Sequence, residues 1–162
     1  MRQGPRLLPL AGGALCVMVV AGLGGSMTDI GPWYLDLAKP AWQPPGWVFA
    51  PVWTLIFACC AWAFAEAWAG AGTRAARGII VWLFGLNMLL NVAWSFLFFT
   101  LRRPDWAMFE VVLLWLSIAA LIRQVLPASR RAATLLVPYL VWVAIAALLN
   151  WEVVRLNGPF GR

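Results

Sequence analysis

Apolar runs of about 20 residues recur along this chain, and no other feature restricts its fold so strongly. A run of that length reaches across the roughly 30 Å hydrocarbon core of a bilayer as one helix. Several in one chain predict a polytopic membrane protein. The composition agrees: 64% of the 162 residues are hydrophobic and 11% are charged. A soluble domain sits nearer half and a quarter. The runs predict an all-α bundle of five spans, at about 7–27, 47–69, 78–101, 105–126 and 132–154, within a single domain, 1–162. The first run follows Arg2 and Arg6 much as a signal peptide would. It is long enough to span, and Gly24, Gly25 and Ser26 make a poor cleavage site. Gly12, Gly13, Ala21 and Gly25 in it suit close helix approach.

The connection at 28–46 is the unusual part. From Trp33 to Phe57 the chain reads WYLDLAKPAWQPPGWVFAPVWTLIF. Four tryptophans (Trp33, Trp42, Trp47, Trp53), four prolines and the only lysine, Lys39, lie in it. Pro40, Pro44 and Pro45 fix φ and remove backbone donors, which makes a stiff, extended turn. Pro32 to Ala38 is expected to form a short helix. Tryptophan this dense suits a boundary where the ring is buried and the indole N–H stays wet. Two readings follow: a structured lid over or beside a cavity, or an interfacial anchor that sets helix depth.

The other connections are short and basic, at 70–77, 102–104 and 127–131, with Asp105 expected to cap the fourth span. Seven Lys or Arg on the N-terminal side against five on the other favour the N-terminus inside. The net charge of +6 comes from arginines scattered at helix ends, which suits lipid headgroups and not nucleic acid. The chain has no histidine, which excludes His-ligated haem, a Ser-His-Asp triad and the usual catalytic zinc site. No metal site or intrinsic cofactor is expected. Cys16, Cys59 and Cys60 read as small buried hydrophobes. Glu66, Glu110, Glu152 and Arg155 fall within about two turns of a helix end, which disfavours ion-driven transport. Glu152 and Arg155 are spaced to pair.

The polar groups left inside are amides and hydroxyls. Asn87, Asn91 and Ser95 share one helix face, and burial in lipid is costly for amides, so that face points inward. Trp53 and Phe57 share a face, as do Trp142, Ala146 and Asn150, with Tyr139 one turn earlier. These positions could be core packing and interhelical glue, or the walls of a flat apolar cavity with a few polar handles.

WYLDLAKPAWQPPGWVFAPVWTLIF at 33–57, LNVAWSFLFF at 90–99 and LVPYLVWVAIAALLN at 136–150 resemble the TspO family. That family comprises the tryptophan-rich sensory proteins of bacteria and the translocator protein, or peripheral-type benzodiazepine receptor, of mitochondria. The resemblance covers nearly the whole chain. It implies a five-helix bundle, commonly a homodimer, in a membrane expected here to be bacterial, inner or outer. It implies a cavity under the first loop that binds porphyrins, haem and isoquinoline or benzodiazepine ligands. Positions matching the family's ligand contacts are Trp53, Phe57, Asn91, Trp106, Trp142 and Ala146. Trp53 and Trp142 match rings implicated in light-dependent breakdown of protoporphyrin IX. They are expected to face one cavity, with Asn91 in reach of a ligand or of the Trp53 indole. Mitochondrial members bind cholesterol near the end of the last helix; Leu149, Trp151 and Arg155 occupy that region, with Trp where the family's sterol pattern has Tyr. The resemblance thus implies a tetrapyrrole-binding sensor or regulator, with porphyrin transport as a further role. The alternatives are a light-dependent porphyrin-degrading enzyme and a scaffold whose tryptophans only anchor it.

Overall fold

A computed structural model describes residues 7–161, with side chains from 9 onward. The elements are α1 (Leu7–Met27), α2 (Pro32–Asp36), α3 (Gly46–Gly70), α4 (Arg74–Ser95), α5 (Pro104–Val125) and α6 (Arg130–Asn157). A π-helical segment, Phe96–Thr100, continues α4. Five of these helices, all but α2, are long and apolar enough to cross a membrane. Their neighbour relations close a ring: α1 on α3, α3 on α6, α6 on α5, α5 on α4, and α4 back on α1. The chain is an all-α, five-span bundle, and each span has one face toward the ring's interior.

The outer faces carry exposed Leu15, Met18, Leu55, Trp82, Leu89 and Phe109. Lipid tails are as apolar as these side chains, so association rests on close packing and on interhelical hydrogen bonds. Gly13 shows the packing. A Cβ there would lie 3.2 Å from Phe64 Cδ1 and 3.3 Å from the Ala61 carbonyl oxygen. Its absence lets α1 lie on α3. Gly12 and Gly25, expected to share that task, face open space. The cysteines also divide: Cys60 is buried, Cys59 half-buried and Cys16 exposed. Position on the helix decides this, since Cys16 lies off the Gly13–Val17–Val20 stripe that meets α3.

Several ends differ from expectation. The connection expected over 70–77 shrinks to 71–73, because the Thr73 side chain accepts the Ala76 N–H at 3.1 Å and starts α4 there. Arg74 and Arg77 are therefore helical. Ser129 does the same for α6, accepting from the Ala132 N–H at 3.2 Å. At the start of α5 the cap position belongs to Arg103, with Pro104 first in the helix. Asp105 sits in the first turn and pairs with Arg103, where a carboxylate complements the N-terminal end of the helix dipole. The first connection holds α2, two residues shorter than the expected helix. Leu37 is extended, and the Lys39 ammonium donates to the carbonyls of Tyr34, Leu35 and Leu37. One cation thus satisfies the acceptors that a short helix leaves open.

Candidate functional site

The face of α4 that carries Asn87 and Asn91 points inward, and both amides are buried. Asn87 donates to Ser117 Oγ on α5 at 2.8 Å. Asn91 donates to the Tyr139 hydroxyl on α6 at 3.0 Å. One turn on, the Trp94 indole N–H donates to Asn150 Oδ1 at 3.1 Å, and Asn150 Nδ2 donates to the Pro104 carbonyl at 2.8 Å. Helices α4, α5 and α6 are thus stitched by a polar seam that spans about two turns of α4, from Asn87 to Trp94. Each such bond between spans contributes on the order of 1 kcal/mol.

Beside the seam lies an aromatic wall between α3 and α6. Trp53 meets Phe57 at 5.3 Å between centroids and Tyr139 edge-on at 6.1 Å. Trp142 meets Phe49 edge-on at 5.6 Å. The spacing explains the pairing: Phe49 and Trp53 are one turn apart on α3, as Tyr139 and Trp142 are on α6. Trp53, Phe57 and Trp142 pack against the core yet stay half-buried, and Ala146, one turn beyond Trp142, is half-buried too. Tyr139, by contrast, is 2% exposed and joins the aromatic wall to the polar seam. Asn91 therefore engages the Tyr139 hydroxyl, where the Trp53 indole or a ligand was expected as its partner.

The structure gathers Trp53, Phe57, Asn91 and Trp142 around Tyr139, with Ala146 beside them. Trp106 stands apart. Its ring is 49% exposed at the start of α5, under the Arg103 guanidinium at 4.2 Å. The residues of the sterol-like region also separate. Leu149 is buried, whereas Trp151 is half-exposed with Arg155 5.8 Å over its ring. Arg155 pairs with Glu152 at 2.7 Å. Among the described residues, no group of three or more His, Cys, Asp or Glu is placed to hold a metal ion.

The tryptophans of the first connection divide between both readings of it. Trp42 and Trp47 are exposed, as anchors would be. Trp33 is packed edge-on against Phe98 at 6.1 Å, and Tyr34 meets Phe99 at 5.6 Å. Asn157, at the end of α6, clamps the same connection: it accepts from the Ala38 N–H at 2.8 Å and donates to the Ala38 carbonyl at 2.9 Å. The segment is a structured cover fixed to the π-helical end of α4 and to α6.

A family model described as the TspO/MBR family aligns with residues 13–156, which takes in the aromatic wall, the polar seam and nearly all of the five spans. The chain belongs to the TspO/MBR family. It is 36% identical over 149 residues to the tryptophan-rich protein TspO of Chlorobaculum tepidum, covering 89% of this chain and 94% of that one. It is 36% identical over 155 residues to the translocator protein of Sus scrofa, covering 95% and 88%. It is 32% identical over 133 residues to the tryptophan-rich sensory protein of Cereibacter sphaeroides, covering 82% of each. Family and spans make this TspO/MBR chain an integral, multi-pass membrane protein of the sensor and translocator class.

Sequence reasoning placed Glu110 near a helix end and stopped there. The carboxyl is 7% exposed, and both of its oxygens are buried with no hydrogen-bond partner among the described residues. A group left so costs more than about 1–3 kcal/mol. The missed signal was periodicity: Ala107, Val111, Leu114, Ile118 and Leu121 are the buried stripe of α5, and Glu110 falls on it.

Proposed function

We propose that this TspO/MBR chain binds tetrapyrroles, porphyrin or haem, as a membrane sensor or regulator, with porphyrin transport as a further role. The observation that carries the reading is the aromatic wall of Trp53, Phe57 and Trp142, turned to the core and only half-buried. Flat ligands gain from indole and phenyl faces in a water-poor site. Ala146 beside Trp142 leaves a methyl-sized floor for a ring. The fixed cover above keeps the ordering cost of binding low. Isoquinoline and benzodiazepine ligands suit the same wall. With no histidine in the chain, haem would be held by stacking.

Light-dependent breakdown of protoporphyrin IX is the second reading. It is favoured by two indoles, Trp53 and Trp142, on facing helices beside the same wall, within reach of an excited ring. Membership of a homodimer and residence in a bacterial membrane complete the proposal. Sterol binding at Leu149, Trp151 and Arg155 is the weakest part, because Leu149 turns inward while its two companions turn out.

Titration of the purified protein with protoporphyrin IX tests both readings. In darkness, saturable quenching of tryptophan emission with a shifted Soret band is expected. Under light, loss of that band with a defined product supports the enzyme; a stable band supports the sensor. Absence of saturation in darkness overturns the tetrapyrrole reading.

A further inference from the structure

The outer surface of the ring is not evenly filled where α1 meets α3. At Gly13 the two helices touch, but farther along α1 leans on α4, where a Cβ on Gly24 would lie 3.7 Å from Ser95 Oγ. Between those points a groove of about 290 Å³ lies between α1 and α3. Two turns of each helix form its walls, with Ala14, Val17 and Ala21 on α1 and Thr54, Ala58 and Ala61 on α3. Both stretches are central in their spans. Exposed Met18, Thr54 and Ala58 open the groove to the lipid. Four alanines leave the space, because a methyl stands where a leucine would close the gap. Phe57 lines the groove too, and its ring meets Trp53 at 5.3 Å. The groove and the aromatic wall therefore share one side chain.

Depth, width and chemistry together select the occupant. At mid-span the bilayer offers hydrocarbon and no water. The groove's one hydroxyl, on Thr54, already donates to the Ala50 carbonyl at 2.8 Å, so no free polar group is there to recognise a headgroup or a polar ligand. Two turns of helix are about 10 Å long, and the volume spread over that length has the girth of one polymethylene chain. A helix of a second copy, about 10–12 Å across with its side chains, does not enter so narrow a slot. Left empty, the groove would forfeit dispersion contacts along its lining. We propose that it is an acyl-chain site, in which one hydrocarbon chain of a bilayer phospholipid lies along α1 and α3, with Met18 at its rim and Phe57 at its floor. The chain packs on Phe57 from the lipid side, as Trp53 does from within the bundle. The proposal goes beyond tetrapyrrole binding and does not rest on it.

The test places the full chain in phosphatidylcholine vesicles doped with a phosphatidylcholine that carries a diazirine at the far end of one acyl chain. Photolysis marks the residues that the chain end touches, and mass spectrometry of the digest ranks them. Met18 in the groove is 63% exposed, and Leu15 and Leu89 on open outer faces are 60% and 66% exposed, so exposure alone would label them alike. Met18 is expected to exceed both by about threefold or more, as a small gain in contact energy would give. Ala58→Leu fills the groove from α3 and is expected to bring Met18 down to the level of Leu15, with Leu89 unchanged. Ala58 is exposed, so the thermal midpoint should hold; Ala21→Leu fills the groove from α1 and decides if Ala58→Leu does not fold. Equal labelling of Met18 and Leu15 in the wild type overturns the proposal and leaves ordinary boundary lipid. An excess at Met18 that survives groove filling overturns it as well. Met18 labelled less than Leu15 also overturns it, and assigns the groove to a second copy of the chain. No porphyrin is present, so failure of the tetrapyrrole reading and failure of this site are read separately.

Discussion

The two ends of the bundle are held by different means. At the end bearing the first connection, side chains do the fastening. Lys39 closes α2, Asn157 clamps Ala38, and Trp33 and Tyr34 lie on Phe98 and Phe99. Its described charges balance: Lys39, Arg102, Arg103 and Arg155 against Asp29, Asp36, Asp105 and Glu152. At the opposite end the connections are tight, and backbone meets backbone. A Cβ on Gly70 would lie 2.1 Å from the Ala128 carbonyl oxygen. Arg74, Arg77, Arg123, Arg130 and Arg131 lie toward that end with one described acid, Glu66, which accepts from the Trp62 indole N–H at 3.1 Å and lies 3.9 Å from Arg131. The difference separates two tasks. A basic, close-packed end fixes helix register and orientation in the membrane. An end fastened by side-chain contacts holds the connection in place through a few named groups, each of which can be removed without touching the backbone packing of the ring.

The largest effect is expected at the close-packed end. Gly70→Ala forces α3 away from the turn before α6, and overpacking of this kind costs about 1–3 kcal/mol and at times more. Thermal unfolding in detergent should show a clear drop in midpoint for Gly70→Ala. Protection of Ala38 from hydrogen exchange should stay unchanged relative to the rest. If Ala38 loses protection as much as the α3–α6 turn does, the two ends are not independent.

Ala146 probes the ligand space between the ends. Phenylalanine fills the room beside Trp142, and threonine adds volume and a hydroxyl that can bond back to its own helix. Porphyrin and isoquinoline affinity should fall several-fold for Ala146→Thr and further for Ala146→Phe, on the order of 1–3 kcal/mol for a filled site. The thermal midpoint should hold in both. A midpoint that falls in step with affinity would make Ala146 a packing residue.

The ring and its spans were legible in the sequence because lipid imposes long apolar helices. The inward face of Asn87 and Asn91 was legible because helical spacing and desolvation cost agree on it. The helix starts at Arg74 and Arg130 were hidden, since arginines after a glycine-containing or proline-containing turn read as loop until Thr73 and Ser129 are seen as caps. The hub role of Tyr139 was hidden for another reason. Its partners Trp53 and Asn91 come from two other helices, and no spacing within one helix reports which residues a closed ring brings together. Glu110 itself could have been found from the α5 stripe. Trp106 shows the converse: a motif position, placed by structure in the end region under Arg103.

At the side-chain-fastened end, Asn157→Ala removes both bonds to Ala38. Losing them is expected to cost about 1–3 kcal/mol, at roughly 0.5–1.5 kcal/mol net per bond. Hydrogen exchange over 37–45 should speed up, and the ligand off-rate should rise. The Gly70 region should not respond. Unchanged exchange over 37–45 would assign the cover's stability to the aromatic contacts of Trp33 and Tyr34 alone.

The smallest effect is expected from Pro44 and Pro45, and it separates two kinds of fastening within the same end. Neither proline contributes a backbone N–H, so replacing them removes no hydrogen bond from the folded cover. Their action is on the freedom of the chain when the cover is loose. Fixing φ at two successive residues narrows the open ensemble and lowers the entropy lost on closing; each such site is worth about 0.4–1 kcal/mol. Pro44→Ala with Pro45→Ala should therefore leave Trp33–Phe98 packing and the Asn157 clamp intact while the closed state becomes less populated. Ligand off-rate should rise by a few-fold, since closure retains the ligand, while the on-rate is unchanged or slightly faster. Combined with Asn157→Ala, the effects should add, because one acts on the open chain and the other on the closed contact. An unchanged off-rate in the double-proline variant would show that the connection does not open during ligand exchange, and would leave Trp42 and Trp47 as anchors of a fixed cap.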